Sequence, residues 1–147
     1  MKKVALVVLI IIASVSYWLI SPFFIDKEVS ESLPTNIESE VVRRGGFEGF
    51  DRIHTGSGDV SIIKTSTGYV VRFEDNFNVA NGPDLYVGLG KDGEYKKGTE
   101  LAKLKGNIGS QNYVVPSEIN LDEYNEVWIW CRVFSVGFAK AILNEKF

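Results

Sequence analysis

One cysteine and one histidine are the only thiol and imidazole in this chain of 147 residues. A single cysteine excludes an internal disulfide. The chain contains no CxxC and no HExxH, so the usual zinc-binding spacings are absent and no metal is expected. No GxSxG surrounds any serine, so a Ser-His-Asp hydrolase has no local support. Gly56-Ser57-Gly58 is followed by neither a lysine nor a helix at the spacing a phosphate loop needs. Basic excess is missing too. The formal net charge is −3, and it becomes −5 for residues 26–147 once Lys2 and Lys3 are set aside. An acidic chain of this kind argues against a nucleic-acid partner. No internal repeat is present, and past the N-terminal run no segment carries a convincing helical period.

The most conspicuous presence is that N-terminal run. Val4 to Ile25 is 22 residues without a charge, preceded by Lys2 and Lys3. As a helix it would measure roughly 33 Å, enough for the hydrocarbon core of a bilayer. Tyr17 and Trp18 lie towards its outer end, where interfacial aromatics are often found. Ala13-Ser14-Val15-Ser16 only weakly resembles a cleavage site, and apolar sequence resumes after it. The expectation is an uncleaved signal anchor at residues 1–25, held in the membrane by residues 4–25. The lysines ahead of the run, against Asp26 and Glu28 after it, predict a single-pass protein of the cell membrane. Its N-terminus would be cytoplasmic and its C-terminal domain extracytoplasmic.

Residues 26–44 are polar and poor in apolar side chains, which predicts a flexible tether. From residue 45 to 147 short apolar runs alternate with Gly, Asn, Asp and Ser, the texture of strands and turns. Asp59 to Lys64 and Tyr69 to Glu74 alternate on either side of Thr65-Ser66-Thr67-Gly68, which predicts a hairpin. Asp75 to Asp84 reads as a loop closed by Gly82, Pro83 and Asp84. There Asn81-Gly82 tolerates positive φ and Pro83 stops a ladder. Further strands are expected at 46–54, 85–89 and 111–115, with a long connection over 90–109. The fold class is therefore all-β: an antiparallel β-sandwich of about seven or more strands, with one N-terminal transmembrane helix.

The last apolar run, Val127 to Leu143, is dense in β-branched and aromatic residues and reads as a pair of strands joined near Ser135. At period 2, Val127, Ile129, Cys131 and Val133 share one face; Trp128, Trp130, Arg132 and Phe134 share the other. Both faces are largely apolar, which predicts a central strand covered on both sides. Cys131 is then either a small apolar core residue, as free cysteines usually are, or a reactive thiol. His54, at a strand end, is either structural or a ligand. Glu74, Asp75, Asn76 and Asp84 could gather around calcium, but their spacing matches no EF-hand loop.

Four blocks taken together resemble the DM13 domain family. They are His54-x3-Gly58; Arg72-Phe73-Glu74-Asp75 with Asn81-Gly82-Pro83-Asp84-Leu85-Tyr86-Val87; Leu101-x2-Leu104-Lys105-Gly106-Asn107-x-Gly109-x-Gln111-Asn112-Tyr113 with Pro116 just after it; and Val127-Trp128-Ile129-Trp130-Cys131-x2-Phe134-x-Val136-x-Phe138-x3-Ile142. The match covers about residues 46–144. Asn76 and Ala102 depart from the family pattern, both in loops. The resemblance implies a small DOMON-like β-sandwich proposed to act in electron transfer, with its cysteine as a bare thiol or a haem ligand. That role would fall on Cys131, with His54 as the matched histidine and a second ligand if haem is the cofactor. The partner would be a redox protein, and the domain an electron-transfer or binding module rather than a stand-alone enzyme. The competing reading is a non-enzymatic cell-surface binding or adhesion module in which Cys131 is packing.

Overall fold

The computed structural model describes residues 2–21, 25–33 and 39–145, without the side chains of residues 2, 18, 19 and 145. Among these, a helix, α1 (Lys2–Ile20), precedes twelve strands. In chain order they are β1 (Ser39–Gly49), β2 (Gly56–Ser57), β3 (Asp59–Thr65), β4 (Gly68–Phe73), β5 (Asn78–Val79) and β6 (Leu85–Lys91). Then come β7 (Glu94–Tyr95), β8 (Ala102–Lys103), β9 (Gln111–Val114), β10 (Glu126–Cys131), β11 (Val136–Ile142) and β12 (Asn144–Glu145).

The helix corrects the expectation of a membrane anchor. No helix among the described residues is long and apolar enough to cross a membrane. Nineteen residues make about 28 Å of helix, short of the ~30 Å hydrocarbon core. Lys2 and Lys3 lie inside that length rather than ahead of it. The α-helix ends at Ile20, and Ser21 after it is in 3-10 conformation. Residues 22–24 of the expected 22-residue span, and the side chain of Trp18, lie outside the described residues. The transmembrane helix, the single-pass placement with cytoplasmic N-terminus, and the membrane contact through residues 4–25 are therefore not supported.

The all-β antiparallel expectation fits, as one curled sheet. Its order is β7-β6-β10-β11-β1-β3-β4-β9, with β8 paired to β6 and β12 to β1; β2 and β5 form a separate ribbon. The predicted hairpin is β3–β4, closed in register from Val60↔Phe73 to Thr65↔Gly68. The seam of the sheet is β1. One of its edges pairs with β3 over Ser39–Gly46, and the other with β11 over Phe47–Gly49 and with β12 at Arg43 and Arg44. Inner-face side chains from both halves of the sheet meet in one core. Phe47, Val60, Ile62, Val71 and Phe73 come from one side, and Val87, Leu89, Val127, Ile129 and Ala139 from the other. The long connection over 90–109 carries the short edge strands β7 and β8.

Residues 26–44 carry contacts that a flexible tether lacks. Strand β1 starts at Ser39, ahead of the boundary that composition suggests. Residues 26–32 lie along the loop before β9. The Val29 and Glu31 N–H groups donate to the carbonyls of Ile108 and Ser110, both at 3.0 Å. The Glu31 carboxylate accepts from Lys105 Nζ at 2.7 and 2.8 Å and from the Asn112 N–H at 2.8 Å. Its carbonyl accepts from Arg72 Nη1 at 2.9 Å. Partial burial opposes ionisation of Glu31, but the Lys105 and Asn112 hydrogen bonds outweigh it and hold the carboxyl below its ordinary value. Residues 34–38 of the same stretch lie outside the described residues.

Candidate functional site

Cys131 is the last residue of β10, between Leu85 of β6 and Val136 of β11. It shares the inner face with Val127 and Ile129, and all three are 0% exposed. The fourth member expected on that face, Val133, is not there. The chain turns over Arg132–Ser135, with Ser135 at φ 52°, so Val133 and Phe134 stand in solvent. Cys131 is a free thiol and makes no hydrogen bond among the described residues. The outer face of β10 is covered by rings instead of a second layer: Trp128 is buried and meets Phe50, Tyr95 and Trp130.

A β-bulge lies opposite this end of β10. Ile129 pairs with Ala139 and Trp130 with Gly137, leaving Phe138 as the extra residue of β11. Bulges re-aim side chains, and the Phe138 ring is turned towards both the His54 loop and the 82–84 turn. The His54 ring meets it edge to face at 4.6 Å between centroids. A Cβ on Gly82 would stand 2.8 Å from Phe138 Cζ and 2.9 Å from Leu85 Cδ2. Gly82 is therefore required for space. Its φ is not positive, and neither is that of Asn81, contrary to the expectation for this turn.

His54 is held by its own loop. Asp51 Oδ1 accepts the N–H groups of Ile53 and His54, each at 2.7 Å, and Asp51 Oδ2 lies 2.8 Å from His54 Nδ1. A carboxylate only accepts, so Nδ1 carries the proton in this pair. The His54 side-chain bond, with the two backbone N–H bonds, pulls the Asp51 carboxyl down to about 2. Asp84 is clamped from two sides, by Arg132 Nε at 3.0 Å and Lys103 Nζ at 3.2 Å. Its carbonyl accepts from the Arg132 N–H at 3.0 Å. The Arg132 guanidinium also lies over the Tyr86 ring, 4.4 Å from its centroid.

The structure thus brings His54, Gly82 and Phe138 together, and it places Cys131 in the core beside Leu85 and Val136. His54 and Cys131 form no hydrogen bond with each other, and the His54 Nδ1 is taken up by Asp51. Phe138, Asp51 and Arg132 are the residues that sequence reasoning missed. The Asp51-x-x-His54 spacing is the one signal that could have flagged a local carboxylate–imidazole pair. A haem at Cys131 does not fit these residues. The sulfur is sealed by core side chains, and the open groove of about 560 Å³ beside the turn, lined in part by Asn81, Gly82, Pro83 and Leu85, does not reach it. The oxygen-bearing residues considered for calcium do not converge. Glu74 pairs with Arg72, Asn76 bonds Asp59, and Asp84 holds two cations of its own.

A family model described as electron transfer DM13 matches residues 49–143. No curated protein matches the chain. No solved structure matches it either.

Proposed function

The chain belongs to the electron transfer DM13 family, and from that premise we propose that its redox group is the bare thiol of Cys131. The observation that carries this reading is the position of the chain's one sulfur nucleophile. It ends β10 on the inner face, paired with Val136 of β11 and with Leu85 of β6, whose side chain borders Gly82. Complete burial keeps a diffusing substrate away from the sulfur, and buried thiols are inert as nucleophiles. Burial does not stop an electron from tunnelling to a partner protein docked outside. In such a step the thiol gives one electron to a one-electron acceptor on the partner, and its proton passes to a water admitted when the end of β10 opens locally. The sulfur becomes a thiyl radical, and the reverse step restores the thiol.

The apolar neighbours of Cys131 favour a second reading, in which the residue is packing and the domain binds a partner without redox change. Substitution separates the two. Cys131→Ala is the cleaner variant, because serine would bury a hydroxyl where no hydrogen-bond partner stands. The thiol reading expects a folded Cys131→Ala protein that lacks the sulfur-centred one-electron wave of the parent in electrochemical titration. A folded variant matching the parent in electrochemical titration would end it and leave the packing reading.

A further inference from the structure

The outer face of β10 holds an arrangement that the thiol reading does not use. Tyr95 and Trp130 are stacked, 4.4 Å apart and 4° from parallel. Trp128 lies 6.3 Å from Trp130 and 6.1 Å from Tyr95. Trp130 and Tyr95 are half-buried, whereas Trp128 is 5% exposed. The rings therefore lead from solvent inward. At the inner end Trp128 Nε1–H donates to Glu126 Oε2 at 2.8 Å. Glu126 is 2% exposed, and its other oxygen accepts from the Gly93 N–H at 3.0 Å and Lys140 Nζ at 3.3 Å. The slot for the indole exists because positions 90 and 137 are glycines. A Cβ on either would run into the Trp128 ring.

We propose that these rings form a one-electron relay that ends at Trp128, with Glu126 as the proton acceptor. The proposal rests on the electron-transfer reading for its purpose, but not on Cys131. An indole radical cation is far more acidic than the neutral indole, and a carboxylate already accepting its N–H is placed to take the proton. Lys140 Nζ stands 5.6 Å from the Trp128 ring centroid, so a second positive charge on that ring is disfavoured. Loss of the electron is thereby coupled to loss of the proton. A one-electron oxidant at the half-exposed Trp130–Tyr95 edge takes an electron from Trp128 through Trp130. The Nε1–H bond breaks, the proton joins Glu126 Oε2, and a neutral indolyl radical faces a carboxylic acid. One electron returned by a reductant sends the proton back. Tyr95 serves as a stacking surface and not as the terminus. Its hydroxyl is buried without a close hydrogen-bond partner among the described residues, and burial, with the Glu100 carboxylate nearby, pushes its pKa up.

The test uses the full chain carrying Trp18→Phe, so that only Trp128 and Trp130 report, oxidised by photogenerated tris(bipyridine)ruthenium(III). Transient absorption should show a neutral tryptophanyl radical whose formation slows in deuterated water. Trp128→Phe should abolish most of that radical. Glu126→Gln should slow its formation by about 100-fold, the low end of what a positioned base contributes. Undiminished radical in folded Trp128→Phe overturns the relay. So does the lack of an isotope effect in the unsubstituted site, a reading that needs no variant to fold. Cys131→Ala should leave the radical intact, which tells a failed thiol reading from a failed relay.

Discussion

Gly82 shows how a single position can be right for a reason that only packing reveals. A glycine before a proline in a turn suggests a backbone need. The need is instead steric, because Phe138 and Leu85 occupy the space a Cβ would take. Gly82→Val adds three carbons at that contact. Overpacking of this kind costs about 1–3 kcal/mol, whereas a typical surface change stays within about 0.5 kcal/mol. A urea unfolding curve with the midpoint unchanged from the parent would refute the steric account. Because the Phe138 ring is shared, the same substitution should also move the His54 ring resonances.

At the scale of elements, the strap over residues 26–32 carries the clearest prediction. Its hold comes from hydrogen bonds and one ion pair rather than apolar area. The Glu31 and Lys105 side chains are 32% and 39% exposed, so solvent screening keeps their ion pair near the value of a surface pair, about 0–1 kcal/mol. Glu31→Gln should lower stability modestly at neutral pH, most of the loss coming from the Asn112 and Lys105 hydrogen bonds. The folded-state pKa of Glu31 lies below its ordinary 4.5. Its contribution is therefore complete above that value and disappears as the pH falls through the folded-state pKa. The gap between parent and Glu31→Gln in urea midpoint should close on acidification. A gap that stays constant down to pH ~2 would show that the carboxylate charge contributes nothing.

At the scale of the whole molecule, β1 is the element that joins the two halves of the sheet. Its first residues pair with β3 and β12 and its last with β11. Truncation therefore should not be neutral. A chain starting at Gly45 loses every pairing of Ser39–Arg44, leaves Ile62 and Ile63 of β3 without their partners on β1, and drops the strap. A chain starting at Asp26 keeps both. We expect the shorter protein to melt well below the longer one or to fail to fold, as read by near-UV circular dichroism. Coincident melting curves would mean that the sheet closes without its seam.

The sequence by itself determined the strand-and-turn texture, the β3–β4 hairpin and the burial of Cys131. Each follows from side-chain alternation or from turn chemistry within a few residues. It also carried the family, through four spaced blocks that a matching family model covers. Tertiary structure alone decided the rest. The length of α1 depends on where the helix stops, not on how far apolar residues continue. The strap looked like a tether because its polar composition hides partners more than 70 positions away, such as Lys105 and Asn112 for Glu31. The bulge that leaves Phe138 unpaired is a mismatch between two strands, and neither strand shows it alone. Nothing local to Glu126 shows its burial: the turn before β7 and strand β11 bring Gly93 and Lys140 to it, beside the Trp128 indole of its own strand. Local pattern specifies which way a side chain points; what it meets there depends on strands that are distant in sequence, and those contacts exist only once the sheet has curled.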